Sequence, residues 1–369
     1  MSYQDSSRTV LCVLLICAPA CLLAAETAAP AAPAAPSLAA VLASSGITVT
    51  GYVAASYYHS SGYNSFHEFD VDHDTFQLDQ AGLTVAYQPK EGFGALVDVI
   101  AGEDARILHA AEDGHDNSFD ARQAYVQYAT GPLTVIGGKF TTLAGEEYSN
   151  PTPNGNFSRS LLFFAEPLTH TGVRATWVAN GELTLIAGVN NGWNTTSTSY
   201  GSKTAELGAT LAPTKQLSLE LQGYFGKVPG FDAARSFVDF VGSYNLSDAL
   251  SVALNYDWGK QQQAAGPDLD WSGIAAYVNY ALNSQWRVTV RGEYLDDKDG
   301  FNTGTPQKLK EGTVTFGYSP VKSFELRIEG RLDRSDHATF VKSLIPGTST
   351  PSAFDDSQTE FALQGLYKF

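Results

Sequence analysis

At 369 residues the chain is long enough for two or three ordinary domains, yet no linker-like stretch divides residues 47–369. Its formal charge of −16 argues against nucleic acid as a partner. Beyond residue 25 no apolar run reaches about 18 residues, which excludes a transmembrane helix there.

Residues 1–25 read as a secretory signal peptide. Arg8 supplies the positive start, Thr9–Leu23 are mostly apolar, and Leu23-Ala24-Ala25 offers small residues for cleavage before Glu26. Ala18-Pro19-Ala20 ahead of Cys21 is a poor match to a lipoprotein signal. Cys12, Cys17 and Cys21 are the only cysteines, so an exported chain from 26 onward has no disulfide to hold it. Residues 26–46 form an Ala/Pro-rich segment, expected to be a periplasmic spacer. Within it Leu38–Ala43 reads either as a short helical plug or as no element.

From Ile47 the chain repeats one pattern, about ten residues of alternating apolar and polar character followed by a break. The segments fall near 47–58, 76–88, 93–102, 119–130, 132–141, 168–179, 182–190 and 203–213. They continue at 215–226, 235–246, 248–258, 271–282, 284–296, 311–319, 322–334 and 357–369. Tight breaks such as Pro89–Gly92, Gly131 and Asn283-Ser284 alternate with eight long ones, which together carry −12 of the charge. Hairpins with short turns at one end and long acidic loops at the other predict an all-β chain: a transmembrane antiparallel up-and-down β-barrel of about 16 strands. Both termini are then expected on the periplasmic side.

Charge fixes which face is which. In 322–334, Phe324, Leu326, Ile328, Gly330 and Leu332 alternate with Glu325, Arg327, Glu329, Arg331 and Asp333. An Arg aimed at the bilayer midplane costs about 2–4 kcal/mol, so the apolar set faces lipid and the charged set a watery interior. Aromatics such as Tyr87, Tyr128, Trp177, Tyr244, Trp286 and Tyr367 sit near segment ends, as interfacial girdles require. Phe361, Leu363, Gly365, Tyr367 and Phe369 place apolar or small residues at alternate positions back from an aromatic terminus. That register resembles the signal read by the barrel assembly machinery, which Phe369 is expected to engage.

The longest interval is Thr142–Pro167, with turn chemistry in its first half and the apolar run Leu161–Ala165 in its second. An apolar run before a rigid Pro predicts an ordered loop, folded inward as the third long loop of the barrel.

Two stretches carry a family resemblance: Ile47–Tyr57, and Asn156–Leu161 running through Pro167–Arg174. They resemble the β-barrel porin 2 family, OmpL-like. The resemblance implies a bacterial outer-membrane channel and covers most of 47–369. The Pro-Glu-Phe-Gly-Gly motif of general enterobacterial porins is absent from Thr142–Pro167, so the constriction rests on position.

A bore of sixteen strands needs narrowing. Glu146, Glu147 and Arg159 are the expected constriction residues. The expected pore wall is Arg122, Lys139, Arg174, Arg287, Arg291 and Arg327 with Asp98, Glu220, Glu293 and Glu329. Opposed charges across a pore order water and favour polar solutes; each one singly could equally be a solvated wall residue.

Asp70–Asp74 suggests a calcium loop but lacks the glycine at its sixth place (Thr75) and the acid at its twelfth (Ala81), so an EF-hand is rejected. A cation bridge from this loop or Glu112-Asp113 to lipopolysaccharide phosphates is the functional alternative to a solvated acidic loop. The histidines show no metal-ligand spacing, and no cofactor is expected. Ser160 and His170 are the only pair a barrel hydrolase could use, and the expectation is that the chain is not an enzyme. The sequence supports a porin passing small polar solutes or ions; the alternative is a closed surface barrel acting as adhesin or structural protein. Lipid-facing strands would serve a homotrimer contact equally well.

Overall fold

A computed structural model describes residues 37–230 and 233–369. The signal peptide assigned to 1–25 and the first part of the Ala/Pro segment, 26–36, lie outside the described residues. Leu38–Ser45 forms helix α1.

The strands follow the alternating segments closely. The first eight are β1 (Ile47–Ser60), β2 (Thr75–Tyr87), β3 (Gly92–Ala101), β4 (Phe119–Thr130), β5 (Leu133–Thr141), β6 (Thr169–Val178), β7 (Leu183–Asn190) and β8 (Thr204–Leu211). Next come β9 (Leu217–Lys227), β10 (Ala234–Asn245), β11 (Leu250–Gln261), β12 (Leu269–Ala281) and β13 (Trp286–Asp297). The remainder are β14 (Gln307–Val321), β15 (Phe324–Ser335), β16 (Phe340–Leu344), β17 (Pro351–Asp355) and β18 (Ser357–Lys368). All but β16 and β17 join neighbour to neighbour in one closed antiparallel barrel of sixteen strands. β18 closes it by pairing with both β15 and β1. Closure satisfies every strand edge, which is what lets a sheet live in lipid.

The alternation sorts as charge demands. On β15, Arg327 is 1% exposed while its neighbour Ile328 is 40% exposed. Leu332, Val290, Leu363 and Phe316 likewise face outward, and Arg331, Arg291 and Glu329 inward. Tyr87, Tyr128, Trp177, Tyr244, Tyr280 and Trp286 are exposed beside the tight turns, a girdle at that end.

Four elements lie inside intervals read as loops. Helix α2 (Glu103–Asp113) starts with Glu103 and Asp104, which suit a helix N-terminus, and stops at Gly114 in the left-handed region. The one-turn helix α3 (Leu161–Phe164) interrupts the third long loop. β16 and β17 form a separate hairpin within the last one.

Candidate functional site

Residues 142–168 are shaped by their own turn chemistry. The Asn154 side chain accepts from the Tyr148 amide and donates to the Tyr148 and Asn150 carbonyls. Ser160 caps α3 by accepting from Phe163 N at 3.0 Å. Arg159 braces the fold from within, donating to the carbonyls of Tyr148 (2.8 Å), Phe157 (2.7 Å) and Ser149 (3.4 Å). Leu161, Leu162, Phe163 and Ala165 are all buried.

The inner wall then grips this segment by its main chain. Arg287 Nη1 donates to Gly155 O at 2.6 Å, and Arg327 to Pro151 O at 3.2 Å and Asn156 O at 3.4 Å. Glu329 accepts the amides of Phe157 (2.6 Å) and Ser158 (2.9 Å). Arg291 Nη1 donates to Ser158 O at 2.9 Å and Arg331 Nη1 to Arg159 O at 2.5 Å. Glu293 accepts Leu161 N at 2.8 Å and Leu162 N at 3.2 Å, so its charge meets the first amides of α3. Each bond joins an arginine or glutamate side chain to a backbone dipole, and such bonds strengthen where the side chain is ionised. β13 and β15 thus hold the loop against the wall.

Of the residues expected at the constriction, Glu147 is tied down. It accepts from Arg291 and from Ser160 N, both at 2.7 Å. Glu146 is half-buried; its amide donates to Asn255 and its carboxylate accepts from Ser243. Burial pushes the Glu146 carboxyl up to about 7 from its ordinary 4.5, the Ser243 hydrogen bond opposing it and Glu147 adding to it. Arg159 departs from expectation: it is buried within the loop, its donors spent on carbonyls and its guanidinium over the Phe69 and Phe163 rings.

Two cavities meet on the loop at Glu147, Tyr148 and Pro153. One of about 420 Å³ is lined by Glu146, Arg287, Lys322, Glu325, Arg327 and Lys368. The other, about 260 Å³, is lined by Asp98, Arg122, Gln123, Thr142 and Glu220. Asp98 and Arg122 pair at 2.8 Å across β3 and β4, and Arg122 also donates to Gln80.

The rest of the expected wall set does other work. Lys139 lies between Glu112 (2.6 Å) and Asp120 (2.9 Å), and Arg174 binds Glu206 at 2.9 Å with its guanidinium 4.1 Å from the Phe140 ring. Neither lines either cavity. Arg291, Glu293 and Glu329 are covered by the loop they hold. The outer-loop carboxylates differ among themselves, Asp72 and Asp74 staying exposed. Asp70 is buried against His67, and Glu112 is taken up by Lys139, Thr169 and Thr196, so neither is a free carboxylate for lipopolysaccharide. Ser160 and His170 are not a pair: Ser160 caps α3, while His170 stacks on Tyr224 at 4.6 Å and bonds Gly192 O.

Sequence reasoning missed a core at the long-loop end. Inward-facing Tyr224, Phe237, Trp271, Leu295 and Leu309 cluster with Leu161 and Ala165 of the third loop and Phe340 of β16. Phe66, Trp193 and Phe301 from other loops pack on them, Trp271 and Phe301 stacking at 4.3 Å. The signal was there: at 237–238 and 294–295 both strand parities are apolar or aromatic, which a water-facing wall does not need.

The fold has many solved relatives at low identity. An OmpT of Vibrio cholerae in trimer form aligns at 14% identity over 88% of this chain and 99% of its own, TM-score 0.60. The anion-selective porin from Comamonas acidovorans aligns at 12% over 88% and 99%, TM-score 0.60. The outer membrane channel DcaP of Acinetobacter baumannii aligns at 14% over 88% and 97%, TM-score 0.57. A search of the curated proteins finds no match. The profile of the family described as "Putative beta-barrel porin-2, OmpL-like" matches residues 46–369. With that match spanning the whole barrel, the chain belongs to this OmpL-like β-barrel porin family of the outer membrane.

Proposed function

We propose that this barrel passes small hydrophilic solutes or ions by diffusion, and that residues 142–167 narrow the passage. One observation carries the reading: the loop is fastened along β13 and β15 and leaves charged cavities on its two flanks. Glu146 and Glu147 on the loop face Arg287, Lys322 and Arg327 in one cavity, and Asp98, Arg122 and Glu220 line the other. Charges of both signs beside one aperture order water and penalise apolar solutes. Arg159, Lys139 and Arg174 belong in this reading to the scaffold, and no residue is assigned a catalytic role.

The same reading makes residues 1–25 a signal peptide, 26–46 a periplasmic segment and the tight-turn end periplasmic. It has Phe369 engaging the assembly machinery, the outward faces meeting lipid or two further copies, and the outer loops meeting lipopolysaccharide. Folded protein added to a planar bilayer should give discrete conductance steps; a bilayer that stays sealed sinks the proposal.

The apolar core at the long-loop end favours a second reading, a closed surface barrel that binds partners through its outer loops. Deleting residues 146–157 separates the two: a porin gains conductance, whereas a closed barrel stays sealed.

A further inference from the structure

Three carboxylates converge where the third long loop returns to the wall. Asp239 on β10 lies directly across from Asp257 on β11, a like-charge register pair that a sheet ordinarily avoids. Glu166, at the end of the loop, completes the group. Ligand oxygens from the three lie within 4.8 Å of one another. Glu166 is 6% exposed and both aspartates 0%.

Their hydrogen bonding is one-sided. Asn255 Nδ2 donates to Asp239 Oδ2 at 2.6 Å and to Asp257 Oδ1 at 3.1 Å. The remaining oxygens, Asp239 Oδ1, Asp257 Oδ2 and Glu166 Oε2, receive no donor from a side chain outside the group. The three carboxyl groups lie within hydrogen-bonding reach of one another, and the Gly145 amide faces Asp239. The loop's other root closes on the same point. Gly145 has φ +85°, and a Cβ placed there would collide with Glu166 Oε2.

Buried charge is sustained only by a counter-charge or by giving the charge up, and an unpaired carboxylate in such a place costs several kcal/mol. Several buried acids in this bore meet arginine, as Glu311 meets Arg291 and Glu206 meets Arg174. Here none does among the described residues. Convergent hard oxygen donors of high negative charge are the ligand set that Ca²⁺ takes, at loose geometry and with water completing its shell. Mg²⁺, which demands near-ideal octahedral placement, suits the set less well.

We propose that Glu166, Asp239 and Asp257 form a Ca²⁺ site that ties the C-terminal root of the third long loop to β10 and β11. Its function is structural: on this side of the bore the metal does what the arginines of β13 and β15 do on theirs. The proposal stands whether or not the barrel conducts.

The test is isothermal titration calorimetry of chelator-treated, folded protein with CaCl2, beside Asp257→Asn and Glu166→Gln. Wild type should hold one Ca²⁺ that each variant loses, affinity for it falling on the order of tenfold or more as a charged ligand is removed. Equal uptake by wild type and both variants overturns the site. Wild type alone gives a second measurement, independent of variant folding, in the infrared. A protonated-carboxyl C=O stretch that disappears on adding CaCl2 supports the site. A calcium-minus-apo difference spectrum with no loss of that stretch means protons hold the cluster together, and overturns it.

Discussion

The two ends of the bore are built from the same strands by opposite chemistry. Towards the tight turns, β13 presents Arg287 and Thr289 inward beside a cavity large enough for solute, and then Arg291 and Glu293 beneath the loop they hold. One step further, Leu295 joins Trp271, Phe237 and Leu309 in a core that the outer loops complete. A barrel interior is therefore not one environment. Polar residues serve where water or a loop's main chain must be met, and apolar ones where loops fold back on the wall and bury each other.

The comparison breaks most visibly if the loop is removed. Deleting residues 146–157 takes away the shared ridge of both cavities, and single-channel conductance should rise several-fold. Arg291→Met attacks the charged half at its centre. It leaves Glu147 buried without a counter-charge and Glu311 with only Arg331 at 4.0 Å, and should cost about 3–5 kcal/mol in urea unfolding. Trp271→Ala attacks the apolar half, where losing a buried indole should cost about 3 kcal/mol in the same measurement. A larger loss for Trp271→Ala than for Arg291→Met would mean that the apolar end dominates stability.

Acidity offers a finer probe. Glu146 has its folded value raised from 4.5 to about 7, so its neutral form fits the folded loop better. The stability it contributes is fully present below about pH 4.5 and lost as pH rises through about 7, where the carboxylate forms. In a salt gradient, reversal potentials at about pH 6 and about pH 8 should therefore show cation preference growing with pH. Glu146→Gln should flatten that change; an unaltered pH profile in the variant would remove Glu146 from the passage. The smallest effect belongs to the exposed Lys342–Asp355 pair of the β16–β17 hairpin. Lys342→Ala should leave the unfolding midpoint unchanged, since exposed pairs are screened and entropically costly.

The barrel was legible because its signal is local. A period of two and tight turns located all sixteen barrel strands, and charged residues confined to one parity gave the facing at 322–334. Helix α2 was hidden by its charge: Glu103, Asp104, Glu112 and Asp113 read as an acidic loop, although Ala105 and Leu108 at helical spacing supply its buried stripe. The loop's grip was not legible at all. Glu329 meets Phe157 and Ser158 across more than 170 residues of chain, and such side-chain-to-backbone bonds leave no pattern in either partner. For the same reason Asp239 and Asp257 passed as ordinary inward residues; only pairing register places them face to face.

The wall's hold on residues 151–162 has a bearing on how such a barrel can change. Carbonyls and amides are alike in every amino acid, so a fastening made to them is blind to what the segment displays. If the barrel passes solutes as proposed, exchanges at Tyr148 or Thr152 should alter its preference while the backbone path of the segment is kept. Proline alone would unbutton it, because at 157, 158, 161 or 162 it forfeits the hydrogen that Glu329 and Glu293 clasp.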